Sequence, residues 1–534
     1  MRLAADARAL GRFVGGLRRF LNWRITVDEA RAIVRERLER RPDDFLNTVR
    51  HAVFLNPRSP YLPLLRQAEV AFEDLERMVR ADGVEAALEA LCDAGVYVTF
   101  EEFKGRRPIV RGGLELPVTA RDFDNPHARR SFGTRTSGSS GRATRTALDL
   151  DHMTDEVPVR AIEADAFGMM HAPMGMWRAM PPSATGLKNA LYACAMGNVA
   201  RRWFTPVTAR QIRAPLRTRM ATELVMGAAA LCGTHLPRPE YLPLERADVL
   251  VDWAAETLRT EGCCLLRSFV SMAVRICEVA RDRGVDLTGT GFMGGGELPT
   301  PAKVRVINAA GAVLAPSYAM TELGSIGVAC ARPADANDVH LAKDLVALLA
   351  RPLRVPGWPV AVNAFYVTTL RPHAPRMMLN VELDDCGVIE RRSCGCPLEE
   401  AGYHEHVRQI RSYRKLTGEG VTLVEGEAVR VLEEVLPGRF GGSPLDYQLL
   451  EEEDEGGYTR LILLVSQRID LSDERAVVEA ALAALRENGR PSAFAAAFWE
   501  QAGSLRVRRA EPVWNMGGKF VPLCVAERLK EAGR

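Results

Sequence analysis

The stretch Tyr318-Ala319-Met320-Thr321-Glu322 stands at the centre of a series of short polar motifs spread along the chain. Gly295-Gly296-Glu297 precedes it, and Asp385-Cys386-Gly387, Arg411 and Gly517-Gly518-Lys519 follow it in that order. Far upstream lies Thr136-Ser137-Gly138-Ser139-Ser140-Gly141-Arg142-Ala143-Thr144, whose backbone N–H groups and hydroxyls suit phosphate oxygens. Carboxylates accept hydrogen bonds from hydroxyl groups or bind divalent cations, and a lysine supplies a mobile positive charge. The stretch 136–144 is therefore a candidate phosphate-binding loop, although serine and glycine also cluster in ordinary loops.

Two better-known nucleotide motifs are excluded by their context. The stretch 136–144 lacks the Gly-Lys-Ser of a P-loop and is not a Gly-x-Ser-x-Gly nucleophile elbow. Residues 289–294 fit the pattern G-x-G-x-x-G, but Pro299 and Pro301 stand where a helix should begin. About 20 residues further on there is no acidic residue for a ribose, only Ala310 and its neighbours. We therefore exclude a dinucleotide-binding motif here.

Alternating patterns on both sides of the central stretch predict an α/β domain. β-rich segments at Val304–Ile307 and Ala361–Leu370 alternate with helical segments at Leu250–Arg259 and Phe269–Arg283. Beyond residue 412, a helix, a hairpin and a further helix predict a small α+β domain. The expected division is a helical N-terminal extension (1–120), a large α/β domain (121–411) and a small C-terminal domain (412–534).

The N-terminal extension carries two local signals. Leu10, Phe13, Val14, Leu17, Phe20 and Leu21 recur at helical spacing between arginines, which predicts a basic amphipathic helix that docks on the protein's own body. Thr26 and Glu29 form a capping box that predicts a helix start. Val96–Phe100 and Ile109–Arg111 are β-rich, and we expect them to form a hairpin through Lys104-Gly105.

Composition limits the class of partner. Seventy Lys and Arg against 68 Asp and Glu give a net charge of +2, so no strong field favours nucleic acid. No apolar run reaches the roughly 18 residues of a membrane span.

The 11 cysteines show no regular spacing, and several, such as Cys263 and Cys264, lie in apolar helical sequence typical of reduced, buried thiols. We expect a cytoplasmic protein with small-molecule or protein partners; the sequence does not determine its oligomeric state.

In their order and spacing, the polar motifs resemble those of the adenylate-forming superfamily, and most nearly those of the phenylacetate-CoA ligase family, over roughly residues 96 to 534. The resemblance implies a large α/β domain followed by a small, mobile α+β domain. Two positions depart from the family pattern. Tyr413 and Arg414 replace the paired aspartates of the hinge between the domains, and Ala319 replaces the glycine beside Tyr318.

The resemblance also implies the role of each motif. Thr136, Ser137, Gly138, Ser139, Ser140, Gly141 and Thr144 would hold the pyrophosphate of ATP, and Gly295, Gly296 and Glu297 would line the nucleotide site. Thr321 would bind the α-phosphate, Glu322 would bind Mg2+, and Tyr318 would stack on adenine. Asp385, assisted by Arg411, would bind the ribose hydroxyls, and Lys519 would carry a positive charge to the α-phosphate.

A zinc site is a second hypothesis. Cys394-Gly395-Cys396, with Cys386 before it and His404 and His406 after it, supplies thiolate and imidazole ligands near one another in the chain. The spacing is tighter than the usual C-x2-C, so reduced cysteines without metal remain the alternative.

The resemblance implies an ATP- and Mg2+-dependent ligase that activates a carboxylic acid as an acyl-AMP and transfers the acyl group to coenzyme A. Methionines and aromatic residues between Phe167 and Trp203 would line a pocket for an apolar or aromatic acid, or would simply belong to the core. Two alternatives remain open: transfer to a carrier-protein thiol or an amine, and a catalytically silent nucleotide-binding scaffold.

Overall fold

The computed structural model describes most of the chain. The described residues are 2–128, 131–135, 145–181, 183, 185–210, 216–354, 361–413, 415–418, 421–453, 459–487, 496, 499–500, 505–515 and 517–525. The predicted phosphate-binding stretch Thr136–Thr144 and the hinge residue Arg414 lie outside them.

The helices are distributed along the whole described chain. They are α1 (Arg2–Asn22), α2 (Val27–Glu39), α3 (Arg41–Val49), α4 (Tyr61–Gln67), α5 (Phe72–Asp93), α6 (Phe100–Phe103), α7 (Leu150–Ala166), α8 (Thr185–Ala195), α9 (Leu216–Leu231), α10 (Asp248–Glu261), α11 (Val270–Asp282), α12 (Pro301–Ala309), α13 (Pro397–Glu400), α14 (Glu425–Arg430), α15 (Leu436–Phe440) and α16 (Glu474–Glu487). Short π-helical segments cover Arg50–Phe54 and Val431–Val435, and a 3-10 turn covers Leu244–Arg246.

The strands form one large sheet and several small ones. They are β1 (Ile109–Arg111), β2 (Leu114–Leu116), β3 (Ser131–Arg135), β4 (Arg145–Asp149), β5 (Met174–Trp177), β6 (Arg202–Thr205), β7 (Pro239–Tyr241), β8 (Cys264–Ser268), β9 (Thr290–Gly295), β10 (Val313–Met320), β11 (Gly324–Ala329), β12 (Val339–Leu341), β13 (Val346–Leu353), β14 (Val362–Thr369), β15 (Val381–Arg391), β16 (Glu405–Ser412), β17 (Lys415–Gly418), β18 (Val421–Val424), β19 (Tyr447–Glu453), β20 (Thr459–Val465), β21 (Leu505–Arg509) and β22 (Leu523–Val525).

The large sheet has 12 strands in the order β13-β14-β15-β16-β12-β11-β10-β9-β8-β5-β6-β7. The half from β10 to β7 is parallel, and the half from β10 to β13 is antiparallel. Within β8, Leu265 packs in the buried cluster that includes α1, α7 and α8, whereas Leu266 packs in the cluster that includes α10 and α11. Because successive side chains of a strand point to opposite faces, helices cover this part of the sheet on both faces.

The N-terminal helices share the core of the large sheet. Phe13 and Leu17 of α1 are fully buried in the cluster that also contains sheet residues, so the predicted docking of this helix is confirmed. The capping box is also confirmed, since Glu29 N–H donates to Thr26 Oγ1 (3.2 Å) and Thr26 N–H donates to Glu29 Oε2 (2.9 Å). No helix among the described residues is long and apolar enough to cross a membrane.

Three local predictions were wrong. Ile109–Arg111 pairs with Leu114–Leu116 through Gly112-Gly113, because Thr99 and Glu102 cap the short helix α6 where the hairpin was expected. Val304–Ile307 lies in α12, whose start is fixed by the Thr300 side chain and by Pro301 at the first position. Cys264 begins the buried strand β8 rather than extending a helix. In each case a β-branched or apolar run was compatible with both structures, and the flanking residues or tertiary packing decided between them.

The small C-terminal domain has its own four-stranded sheet in the order β21-β20-β19-β22, with α16 and the helices α14 and α15 packed in one buried cluster. Ion pairs join it to the large domain: Lys303 Nζ lies 2.9 Å from Glu433 Oε1, and Arg468 Nη2 lies 3.3 Å from Glu278 Oε2. The predicted fold class, a large α/β domain with a small α+β C-terminal domain and a helical N-terminal extension, is confirmed. The boundaries at residues 120 and 411 remain predictions.

Candidate active site at the carboxyl edge of the central sheet

Several of the predicted site residues follow the carboxyl ends of parallel strands. Gly295 ends β9 and Glu297 lies just beyond it; Met320 ends β10 and is followed by Thr321 and Glu322. In open α/β sheets, ligands bind outside the carboxyl ends of the strands. The fold thus brings two motifs that are about 25 residues apart in sequence to one edge of the sheet.

Glu297 connects this edge to the C-terminal domain. Its Oε2 accepts a hydrogen bond from Ser271 N–H (2.8 Å), and its Oε1 accepts hydrogen bonds from Ser271 Oγ (2.7 Å) and from Phe520 N–H (3.1 Å). The ring of Phe520 is 1% exposed and belongs to the buried cluster of the large domain. Because Phe520 follows Lys519 directly, the backbone of the Gly517-Gly518-Lys519 turn is held beside Glu297.

The turn itself is shaped by one asparagine and one glycine. Asn515 Oδ1 accepts hydrogen bonds from Gly517 N–H (3.0 Å) and from Lys519 N–H (2.9 Å). Gly518 has φ +79°, and a Cβ there would lie 2.2 Å from Met272 Cε and 3.0 Å from Pro206 Cγ. A side chain at this position would strain the backbone and collide with the large domain, so the close seating of the turn requires glycine.

Tyr318 and Asp385 meet across the sheet. Tyr318 lies at the end of β10 and Asp385 in β15, and Tyr318 Oη donates a hydrogen bond of 2.9 Å to Asp385 Oδ2. Burial, followed by the charge of Asp385, raises the pKa of the Tyr318 hydroxyl well above its ordinary value. The phenol therefore remains a hydrogen-bond donor and orients the carboxylate that the sequence motifs assign to ribose.

Glu322 is buried and forms an ion pair. The side chain is 7% exposed, and Lys104 Nζ lies 2.7 Å from its Oε1. Burial raises the pKa of Glu322, but the charge and hydrogen bond of Lys104, aided by Arg376, outweigh it and hold the pKa below its ordinary value. The carboxylate is therefore ionised, as a ligand for a divalent cation must be. Sequence reasoning missed Lys104, which was assigned to a hairpin turn.

A pair of buried arginines was also missed. Arg178 follows β5 and Arg267 lies in β8, and the two residues are 6% and 4% exposed. Arg178 donates from Nη2 to the Ser268 carbonyl, and its guanidinium carbon lies 4.3 Å from the centre of the Phe269 ring. Within the described part of the chain, Arg267 Nε and Nη2 have no hydrogen-bond partner.

Burial dominates the electrostatics of this arginine pair. It lowers the pKa of Arg178 to about 9, with the nearby Arg267 contributing, and lowers the pKa of Arg267 to about 10, with Arg160 contributing. Desolvated cations are stabilised when an anion binds beside them. The only signal in the sequence was an arginine within each otherwise apolar segment, at residues 174–178 and 263–267.

The predicted hinge begins on a firmly held residue. Tyr413 N–H donates to the Asp384 carbonyl (3.0 Å), and the Tyr413 hydroxyl lies within hydrogen-bond distance of both Glu382 Oε1 (3.0 Å) and the Leu383 carbonyl. Arg411 is exposed and stands opposite Cys386 in the β15–β16 pair, which places it beside the strand position of Asp385. Tyr413 thus fastens the end of β16 to β15.

The three cysteines of the predicted zinc site do not lie together in the structure. Cys394 and Cys396 lie together with Cys330 and His340, and one ligand atom of each of these four residues is within 4.8 Å of the others. Cys386, included in the predicted zinc set, is not a member of this group; its thiol lies beside Arg411, and burial raises its pKa. The predicted ligand set is therefore corrected, because pairing of β15 with β16 carries Cys386 away from the loop at 394–396.

Comparison with known proteins supports the fold. No family model matches the chain, and no curated protein sequence matches it. Among solved structures, 2-hydroxyisobutyryl-CoA ligase in the postadenylation state with R3-HIB-AMP superposes with a TM-score of 0.54 at 15% identity, covering 92% of this chain and 90% of that chain. The same ligase with 2-HIB-AMP gives a TM-score of 0.52 at 16% identity, with the same two coverages, 92% and 90%. The chain therefore shares the fold of this ligase, with a large α/β domain that carries a 12-stranded sheet and a small C-terminal α+β domain.

Proposed function

We propose that the protein is an ATP-dependent ligase that converts a carboxylic acid into an acyl-AMP and then transfers the acyl group to coenzyme A. The observation that carries this proposal is the seating of the Gly517-Gly518-Lys519 turn on the carboxyl edge of the sheet, through the hydrogen bond from Phe520 N–H to Glu297. This contact holds the backbone next to Lys519 beside Glu297, near the end of β10 that leads into Glu322, and so supports a role for this lysine.

The first half-reaction joins two anions. A carboxylate oxygen of the acid attacks the α-phosphorus of ATP, a new P–O bond forms, and the bond to pyrophosphate breaks. Negative charge grows on the α-phosphate oxygens in the transition state, so fixed cations and N–H donors accelerate the step. In our proposal Lys519 supplies such a cation, Thr321 binds the α-phosphate, and Thr136–Thr144 bind the departing pyrophosphate.

The buried arginines extend this positive surface. Arg178 and Arg267 lie at the edge of the sheet where β8 ends at Ser268 and β9 ends at Gly295. The negative charge of Glu297 raises the pKa of Arg178 and partly offsets the effect of burial. A bound anion would supply the hydrogen-bond acceptors that Arg267 lacks among the described residues. We assign the arginine pair to holding negative charge of the acid or the phosphates in place.

Asp385 and Glu322 would fix the nucleotide at two further points. The Asp385 carboxylate, oriented by the Tyr318 hydroxyl, accepts hydrogen bonds from ribose hydroxyls, with Arg411 beside it. Glu322 is ionised and fits Mg2+, which takes few protein ligands and prefers carboxylates. When bound, Mg2+ would neutralise phosphate charge, and Lys104 holds Glu322 in its ionised form beforehand.

In the second half-reaction a thiol sulfur attacks the acyl carbonyl carbon, and the bond to AMP breaks. We propose coenzyme A as the acceptor, and an enzyme of the phenylacetate-CoA ligase type, from the resemblance of the motifs. Delivery to a carrier-protein thiol or to an amine remains the alternative. For the acid we propose an apolar or aromatic compound, although Met174, Met176, Trp177 and Trp203 are fully or almost fully buried core residues.

ATP–pyrophosphate exchange tests the proposal. Exchange is measured with wild-type protein across a panel of aromatic, fatty and amino acids, and AMP release is then measured with coenzyme A, carrier protein or amines added. We expect at least one acid to support exchange, with the acceptor that increases AMP release identifying the second substrate. Absence of exchange over the whole panel, with ATP binding retained, would instead support the nucleotide-binding scaffold.

Lys519→Ala provides the matched variant. We expect it to lower exchange by about 10²- to 10³-fold, the usual loss for one transition-state donor. Arg506→Ala, which removes an exposed cation from β21 of the same domain, should leave exchange unchanged. Full exchange by Lys519→Ala would remove this lysine from the mechanism.

A further inference from the structure

We propose that Cys330, His340, Cys394 and Cys396 bind one structural zinc ion. Each residue offers one ligand atom, and the four atoms lie within 4.8 Å of one another. Cys330, His340 and Cys396 are buried, and Cys394 is partly buried. Three thiolates and one imidazole form a usual ligand set of closed, tetrahedral zinc sites.

The histidine is oriented as a zinc ligand. His340 Nδ1 donates a hydrogen bond of 2.8 Å to the Tyr403 carbonyl, which leaves the lone pair of Nε2 directed at the cysteines. Nε2 lies 3.0 Å from Cys396 Sγ and 3.5 Å from Cys394 Sγ. Zinc bond lengths of about 2.3 Å to sulfur and 2.0 Å to nitrogen place tetrahedral ligands about 3.6 Å apart, so small shifts suffice to admit the ion.

Charges and N–H donors around the sulfurs match a zinc–thiolate centre. Three thiolates with one Zn2+ leave a net charge of −1, and Arg392 Nη2 lies 4.0 Å from Cys330 Sγ. Cys330 Sγ accepts a hydrogen bond from Arg332 N–H (3.3 Å), and Cys394 Sγ accepts one from Cys396 N–H (3.4 Å). Such donors around the ligands stabilise the metal-bound thiolates.

A neighbouring group of Cys330, Asp338 and His406 competes for the same cysteine. Asp338, however, already accepts hydrogen bonds from His406 Nδ1 (2.7 Å) and Ala334 N–H (2.6 Å), and it pairs with Arg392. We therefore propose that Asp338 orients His406 and Arg392 next to the zinc site and is not itself a ligand. The ring of His406 packs against that of His340 at an angle of 45°, with centres 4.0 Å apart.

The ligands lie far apart in sequence, and the ion would join separate strands. Cys330 follows β11, His340 lies in β12, and Cys394 and Cys396 lie between β15 and α13. The zinc would thus tie the β11–β12 pair to the end of β15, the strand that carries Asp385. The proposal depends on the ligand geometry alone and does not require that the protein adenylates an acid.

Metal analysis of the full-length protein, purified without chelator, tests the site. We expect about one zinc ion per chain in the wild type and in Cys386→Ser and Cys263→Ser, which alter cysteines outside the group. Cys396→Ser and His340→Ala should lose most of the zinc and unfold at a lower temperature. His406→Asn should keep the zinc, which separates the two overlapping groups.

Cobalt replacement covers the case in which the ligand variants fail to fold. The wild-type protein, stripped of zinc and supplied with Co2+, should show the absorption of thiolate-bound, tetrahedral cobalt, and added Zn2+ should abolish that absorption. Wild-type protein that carries no stoichiometric metal and gives no thiolate–cobalt absorption would overturn the proposal. Equal zinc loss in Cys386→Ser and Cys396→Ser would refute the assigned ligand set.

Discussion

Replacing Gly518 by alanine tests whether docking of the C-terminal turn controls the adenylation that we propose. Alanine at φ +79° carries left-handed backbone strain, and its Cβ would lie 2.2 Å from Met272 Cε and 3.0 Å from Pro206 Cγ. The methionine end can rotate away, whereas the proline ring cannot, so we assign the docked turn a cost of about 1 to 3 kcal/mol. The undocked turn can adopt another φ and avoids this cost.

Because each 1.4 kcal/mol is a factor of ten, the equilibrium constant between the docked and the undocked turn should fall by about 5- to 150-fold. ATP–pyrophosphate exchange, which needs Lys519 at the sheet edge in our proposal, should fall by up to the same factor. Transfer from a chemically prepared acyl-AMP to the acceptor should fall much less. The strain at residue 518 would thus slow the adenylation half-reaction and leave acyl transfer and the fold largely unchanged.

Gly438→Ala is the control for this experiment. Gly438 lies in α15 of the same domain, and a Cβ there would meet nothing within 4 Å. Alanine in a helix is more favourable than glycine, so we expect unchanged exchange and equal or greater stability. The reasoning is refuted if Gly518→Ala exchanges pyrophosphate at the wild-type rate, or if both half-reactions fall equally.

Two further perturbations address the residues beneath the proposed nucleotide. Lys104→Met leaves Glu322 buried without its ion pair, so the free energy of unfolding at pH 7 should fall by about 3 kcal/mol. The folded pKa of Glu322 is depressed, so the stabilisation by the pair is present above the ordinary value of 4.5 and is lost as pH falls through the folded pKa. Urea unfolding of both proteins should therefore show a smaller difference at pH 4 than at pH 7, and an equal difference would contradict the pairing. Tyr318→Phe removes the 2.9 Å hydrogen bond to Asp385 and should weaken ATP binding about tenfold in a calorimetric titration, with unchanged circular dichroism; unchanged affinity would separate Asp385 from the nucleotide.

Elements with strong local signals were predicted correctly. The amphipathic pattern of Phe13 and Leu17 identified a helix that docks on the core, and the side chains of Thr26 and Glu29 identified the start of the next one. Such signals depend on side chains three or four residues apart, and the sequence contains both partners. The small domain was predicted for the same reason, since its hairpin and its helices are local structures.

Predictions that depended on a run of β-branched residues were less secure. Val304–Ile307 is apolar enough for a strand, yet Thr300 and Pro301 start a helix there, and Ile307 is buried in the core while Val304 and Val306 pack partly buried against it. Lys104 looked like part of a turn because its partner, Glu322, lies 218 positions away in sequence. No pattern within a short window reports such a contact.

The sequence by itself determined the α/β class, the helical extension, the small C-terminal domain and the order of the polar motifs, because periodicity, caps and motif order are properties of the linear chain. Only the tertiary structure decided which side chains meet: Glu297 with the turn before Phe520, Tyr318 with Asp385, and Cys330 and His340 with Cys394 and Cys396. Those contacts arise from strand order and from the docking of one domain on another. They are fixed by burial of apolar surface across the whole molecule, which no local segment of the sequence encodes.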